Sequence, residues 1–365
     1  MIQSLADQLT AAADWYALRS IRASRVRLFL RLAVAVRGDM TVADFIAALA
    51  TSEDESRPAH ARVYRRIEAR MRDGEHSLVQ ALRDVCGPDD LCFFVAEHKV
   101  SDVSVLFQMA HDAAVRKKRI VKSATAPFVF PTYMAIMAFG VLVLGGTVML
   151  PNFVKVLPVS QFEMPTQVVY HVGRVLRDNT LGAGLLLAAG LVWIRWSLPN
   201  LFNSVRIESL DRVFPWSLYR VLQSSSFLVS MASLFKAKVP VLDAVTGYAM
   251  VARPYEAGYA NLMRENLESE QTTSDMWALD VGFIEAETMT SMRILNVKLA
   301  PEEVIQRIGD SEMALLAEDV AMKAQRIART LTLVLAVVLT FSLYGTFSVI
   351  PTLAEKASTV HGLRK

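Results

Sequence analysis

The chain divides into stretches with two different hydrophobic patterns. From Ser123 to Val154 no residue is charged, and two more long uncharged runs follow, Asn179 to Ile194 and Thr330 to Ala354. About 20 apolar residues cross a bilayer core. The first run, with its span near Pro131 to Leu150, and the third are long enough. The second reaches spanning length if it extends to Ser197 past Arg195, whose long side chain can carry its charge back to the interface. Three spans place the two termini on opposite sides. Elsewhere apolar residues recur at helical spacing: Val42, Phe45, Ile46 and Leu49, then Val63, Ile67 and Met71 with Arg62, Arg65, Arg66 and Arg70 on another face. Thr41 followed by Asp44 predicts a capped helix start, Gly74 a helix stop, and Ser77 answered by Gln80 a second capped start before Gly87-Pro88 ends that helix. Phe93 to Ala96 and Val105 to Val115 complete a bundle. Pro301 with Glu302 and Glu303 favours initiation of a helix expected to run with little interruption through Arg326 into the third span. Strand-type alternation is nearly absent, so the fold class expected is all-α.

The chain also repeats itself. Residues 27 to 151 match residues 226 to 351 at a nearly fixed offset, pairing Ala33 with Ala232, Val42 with Val241, Asp44 with Asp243, Pro58 with Pro254, Ala81-Leu82 with Ala278-Leu279 and Pro151 with Pro351. The expected organisation is an N-terminal amphipathic lead at 1–19, a first cytoplasmic helical bundle at 20–125, a span at 126–151, a short periplasmic loop at 152–177, a span at 178–198, a second cytoplasmic bundle at 199–328, a span at 329–351 and a periplasmic tail at 352–365. The lead, with Leu5, Leu9 and Trp15 on one face, is expected to dock on the first bundle or on the membrane surface. It has acids and no short apolar core before a small-residue cleavage site, unlike a secretory signal.

Charge fixes the direction. Near the membrane, one set of flanks carries Arg116, Lys117, Lys118, Arg119, Lys122, Arg195, Arg206, Arg212, Lys323, Arg326 and Arg329, and the opposite set carries Lys155, Arg174, Arg177, Lys356, Arg364 and Lys365. Eleven cations against six predict that both large polar regions are cytoplasmic. Of the 365 residues 53% are hydrophobic, too many for an ordinary soluble protein, and 21% are charged, too many for a polytopic permease. A net charge of +3 gives no reason to expect nucleic acid as a partner, while anionic lipid suits the cluster from Arg116 to Lys122. No Asp, Glu, Lys, Arg or His falls inside the core of a span, which argues against a transporter, a channel or a proton-driven motor, and no Ser/His or paired Asp set lies at bilayer depth as an intramembrane protease would need. A membrane subunit of a transporter or ATP-driven permease is the alternative reading, and it lacks the spans and pathway residues it would need. Gly140, Gly145 and Gly146 in the first span, and Gly182, Gly184, Ala188 and Gly190 in the second, suit close helix contacts or packing in a homo-oligomer.

Little in the sequence suggests catalysis. There is no phosphate-binding loop, His-Glu-x-x-His or Gly-x-Ser-x-Gly motif. Cys86 and Cys92 read as buried, idle thiols, and the scattered His60, His76, His98 and His111 have no ligand spacing. Glu97, His98 and Asp102 offer acid and base without a nucleophile or oxyanion turn. Asp44 and Asp243 read as helix-start residues rather than a duplicated site. No catalytic residue, metal site or cofactor is expected. The one candidate site is the arginine face, Arg62, Arg65, Arg66 and Arg70 with Arg72 beside it. It is either a solvated face pairing with Glu68, Asp73 and Glu75 or a contact for an acidic partner. Residues 19–122 hold 19 Lys/Arg and 14 Asp/Glu, whereas residues 252–326 hold 7 and 14, so the acidic surface expected for the basic first bundle is either on a separate partner protein or on the second bundle of a neighbouring copy.

With two helical repeats, each leading into a span, and a further span between them, the chain resembles the type II secretion F and type IV pilus platform protein family over about residues 20–355. The stretch "RDGEHSLVQAL" carries the match best, and Phe130-Pro131 entering the first span and Pro151 leaving it sit at the family's spacing. The family's Gly-Glu turn survives only as Glu97 in "AEHKVSDVSVL", and Lys238 stands where the family usually has glycine, which marks a divergent branch such as the type IVb or thin-pilus kind. The resemblance implies a platform in the bacterial inner membrane with a cytoplasmic N-terminus and a periplasmic C-terminus. It implies as partners a hexameric secretion-type ATPase, pilins or pseudopilins, other inner-membrane assembly proteins and membrane lipid. ATP energy would enter only through the ATPase.

Overall fold

A computed structural model describes residues 2–73, 77–100, 102–269, 275–311 and 313–351. All regular structure among them is helical. In chain order the helices are α1 (Ile2–Arg37), α2 (Val42–Glu53), α3 (Pro58–Arg72), α4 (Leu78–Leu82), α5 (Pro88–Val95), α6 (Val103–Thr125), α7 (Val129–Leu144), α8 (Leu150–Val154) and α9 (Met164–Asp178). They continue as α10 (Thr180–Asn200), α11 (Ser204–Glu208), α12 (Trp216–Lys236), α13 (Val241–Val251), α14 (Pro254–Glu268), α15 (Asp275–Ala278), α16 (Ala286–Asn296), α17 (Pro301–Ser311) and α18 (Met313–Phe347). Three helical stretches are long and apolar enough to cross a membrane, Val103–Val154, Leu181–Asn200 and Val320–Pro351.

The chain forms two compact units, one of residues 1–121 with 198–318 and one of residues 122–197 with 319–365. In the first unit α1 and α2 pack on α3, α12 packs on α17 and α13 on α14, and the two halves meet where α5 lies against α12 and α13. Apolar spacing produces this core. Ile46, Val63 and Ile67 are buried, as are Val304, Ile305 and Ile308 on α17. Aromatic rings fill both halves, with Phe94 5.0 Å from Phe107 and Tyr259 stacked on Phe283 at 4.7 Å between centroids. Helix starts on the two halves fall at matching places, Val42 with Val241 and Pro58 with Pro254. The turns before α2 and α13 each hold a non-glycine residue in left-handed backbone, Asp39 at φ 63° and Lys238 at φ 60°. That conformation normally favours glycine.

The local capping signal holds at α2, where Thr41 Oγ1 accepts the Asp44 N–H at 3.1 Å. It fails at α4. Ser77 occupies the cap position without a side-chain cap bond, and the Leu78 N–H is instead donated to Glu97 at 3.3 Å. The expected lead at 1–19 has no boundary of its own, because α1 runs unbroken from Ile2 to Arg37 with Ala17 and Ile21 buried and Trp15 exposed beneath Arg19. The side chains of Leu5 and Leu9, the stop at Gly74, His76, and the tail at 352–365 lie outside the described residues. From Pro301 toward the third span the helix runs to Ser311 and again from Met313, with Glu312 outside the described residues and no loop between Ala317 and Thr330.

One counted cation proves to be internal. Arg206 and Asp211 are both completely buried and paired at 2.7 Å, and Tyr255 and Tyr259 donate to the same carboxylate at 2.8 and 3.1 Å. The Arg206 guanidinium lies 4.3 Å from the centre of the Tyr255 ring. It therefore satisfies a buried network and does not mark a membrane flank.

In the second unit the expected short loop at 152–177 is largely helix. Pro165 sits in the first turn of α9, a position that tolerates it because its missing N–H has no intrahelical role there. Val169 is buried with Leu150, Leu157, Phe162 and Val349. Thr166 and Ser348 share a hydrogen bond of 2.7 Å, and Tyr344 donates to Glu163 at 2.7 Å. Glycine permits this packing. α7 passes into a short π-helical segment, Gly145–Met149, and there a Cβ on Gly173 would lie 2.3 Å from the Gly146 backbone. A Cβ on Gly345 would lie 2.8 Å from the Pro165 carbonyl oxygen, whereas one on Gly140, Gly184 or Gly190 would meet nothing within 4 Å. Gly173→Ala is expected to lower the thermal unfolding midpoint of the purified chain, since overpacking costs roughly 1–3 kcal/mol, and Gly190→Ala to leave it unchanged. Equal midpoints for the two variants would contradict the close approach.

Candidate functional site

The arginine face lies on α3, whose other side buries Ala61, Val63, Tyr64 and Ile67. Spacing of three and four residues brings Arg62, Arg65, Arg66 and Arg70 onto one exposed side. Each has an acidic partner within the same unit. Arg62 and Arg66 both reach Asp14 on α1, at 2.7 and 3.0 Å. Arg65 pairs with Asp54, just past α2, at 2.5 Å, and Arg70 with Asp84, beyond α4, at 2.8 Å. Arg72 binds Glu68 at 2.9 Å. Of the acids expected opposite this face, only Glu68 is seen paired with it, and Glu75 lies outside the described residues. The other acids that answer it, Asp14, Asp54 and Asp84, lie outside α3 and draw α1, α2 and the end of α4 toward it. Every arginine remains partly exposed, so each pair is worth only about 0.2–1 kcal/mol.

A second polar cluster, at the seam between the halves of this unit, has no local signature in the sequence. Asp90 is buried at the start of α5, where it accepts Arg25 Nε at 2.6 Å and the Gly87 N–H at 3.1 Å. Burial pushes its carboxyl up, and Arg25 and the Gly87 N–H oppose that shift. Asp89 accepts from Tyr248 of α13 at 3.1 Å and from Lys117 of α6. Lys99 pairs with Asp243 at 2.9 Å, which gives Asp243 a tie across the seam beyond its place in the first turn of α13. Gly247 lets α13 approach, since an added Cβ would stand 3.1 Å from Val95. No local signal separates Lys117 from the cations around it, so only the fold reveals its role.

Neither cluster is built for catalysis. The cavity at the seam, lined by Cys92, Val95, Lys99, Asp243, Gly247 and Met250 among others, holds about 160 Å³, below the roughly 300–1,000 Å³ of small-molecule pockets. Cys86 and Cys92 are buried, and burial pushes both thiols up, away from the thiolate form. Glu97 is used on the Leu78 N–H. Asp102 accepts from Ser104 at 2.8 Å, and hydrogen bonds from that residue hold its carboxyl low. His111 Nδ1 lies 2.8 Å from the Val26 carbonyl oxygen. Among the described residues no three His, Cys, Asp or Glu side chains converge as metal ligands.

No family model matches the chain. Over 203 residues it is 23% identical to the toxin coregulated pilus biosynthesis protein E of Vibrio cholerae serotype O1. The chain is similar to a pilus biosynthesis protein. That likeness supports the divergent type IV pilus resemblance read from the residues. The matched region covers 54% of this chain and 59% of that protein's length.

The intramolecular pairing of the arginine face generates its own test. Arg62→Glu combined with Arg66→Glu sets two carboxylates against Asp14 and is expected to lower the thermal midpoint of the purified chain. Adding Asp14→Arg is expected to restore it. A midpoint indifferent to both changes would show that these pairs do not hold α1 to α3.

Proposed function

We propose that this chain is an inner-membrane platform for pilus assembly, of the type IV pilus or type II secretion kind, and that it couples a cytoplasmic secretion ATPase to the extraction of pilin or pseudopilin subunits from the membrane. The observation that carries the reading is the similarity to a pilus biosynthesis protein. Three membrane-length apolar helices together with a large, interlocked helical unit in one chain fit such a part. The described residues offer extended helical-bundle surfaces, which suits a protein that transmits force supplied by another. In this reading the polar regions carrying the arginine face and the seam are cytoplasmic, and residues 152–177 lie outside. The solvent-facing edges of Arg65 and Arg66 are the part of the arginine face open to an acidic partner, on the ATPase or on a second copy of this chain. The protein is not itself an enzyme in this account.

Deletion of the coding sequence is expected to abolish surface fibres while leaving the ATPase and pilin present, and the tagged full chain is expected to retain the ATPase on purification from membranes. Fibres assembled at normal density in the deletion strain would overturn the proposal.

A further inference from the structure

The first and third membrane-length stretches leave a groove between them within the second unit. It is lined by Pro127, Phe130 and Pro131 on one side and by Gln325, Ala328, Arg329, Thr332 and Leu333 of α18 on the other, and it holds about 490 Å³. Its position along the chain is informative. Lys122 is the last charge before the first uncharged run, and Arg329 is the last before the third. The groove therefore begins where charge ends on both helices, at the level at which a headgroup region gives way to acyl chains.

Its chemistry changes along its length. The Arg329 end is polar. Thr332 spends its hydroxyl on the Ala328 carbonyl at 2.8 Å, so the Arg329 guanidinium and the Gln325 amide remain as the polar groups offered to an occupant. No carboxylate lines the groove beside Arg329 among the described residues. The other end is apolar, with Phe130 58% and Leu333 69% exposed. Pro127 and Pro131 bring ring surface and no N–H donor. An occupant must place an anionic group at Arg329 and a flexible apolar chain along Phe130 and Leu333, and one anionic phospholipid molecule does both. A membrane-spanning protein segment with only apolar side chains at this depth would leave the guanidinium unanswered.

We infer that this groove is a binding site for an anionic phospholipid, with the phosphate on Arg329 and Gln325 and one acyl chain between Phe130, Pro131 and Leu333. The site is a defined one, distinct from the general attraction of a basic flank to an anionic surface. It does not depend on the pilus assignment.

The test uses the full chain in detergent with phosphatidylglycerol and phosphatidylcholine as probes, read by native mass spectrometry. Wild type is expected to retain phosphatidylglycerol preferentially. Arg329→Gln is expected to reduce that preference about fivefold, the effect of roughly 1 kcal/mol per interfacial cation. Arg195→Gln, a cation on the second stretch outside the groove, is expected to leave it unchanged. Leu333→Trp, which fills the apolar end, is expected to lower retention of both lipids. A photoreactive phenylalanine analogue at position 130 in native membranes is expected to yield a lipid adduct. Equal losses in the Arg329 and Arg195 variants, undiminished binding by Leu333→Trp, or a protein adduct at position 130 would each overturn the inference.

Discussion

An ionised side chain left at the centre of a bilayer without water or a counter-charge costs about 2.5–3.5 kcal/mol even on insertion-based scales, and much of this chain is arranged around that cost. Charged residues stop at Lys122 and at Arg329, and the uncharged runs that follow become the cores of helical stretches. Where charge is taken out of water within the first unit it is answered at once, Arg206 by Asp211 and two tyrosine hydroxyls, Asp90 by Arg25 and a helix-start N–H. Even the partly exposed arginines of α3 are tied to acids of their own unit.

Removing charge from the spans leaves packing to small residues. The second unit shows both outcomes of that choice. Gly146 and Gly173 allow backbones to touch, and Gly345 accommodates Pro165, so α9 is held against the ends of the first and third stretches. The second stretch carries similar glycines but packs against little among the described residues, with Leu181 84% and Leu186 76% exposed. Glycine in an apolar run thus permits close contact without specifying it. The difference is made by what the fold brings opposite.

What the sequence disclosed and what it hid follow the range of the interactions. Thr41 capping α2 is a three-residue event, and the buried faces of α3 and α17 are visible as spacing along one helix. The helix α9 was also legible in principle, since Pro165 is followed by Val168, Val169, Val172 and Val175, but four charged residues in 152–177 and a flanking pair of spans made the region look like a connection. Glu97 replacing Ser77 as the acceptor at α4 spans 19 residues, and the Tyr248 to Asp89 bond spans 159. Such partners are chosen by topology. Arg206 misled for the same reason, because a cation just beyond an apolar run looks the same in sequence whether it meets lipid phosphate or a buried aspartate.

In the proposed topology the placement of cations sets the direction of the chain in the membrane. The most direct measurement is labelling of single introduced cysteines with a membrane-impermeant maleimide, for which the buried native thiols of Cys86 and Cys92 provide a silent background. Val156, in the exposed turn after α8, and Lys118, on the exposed side of α6, are suitable positions. Val156→Cys should react in intact spheroplasts, and Lys118→Cys should react only after the membrane is opened. Labelling of Lys118→Cys from outside, with Val156→Cys protected, would contradict the account.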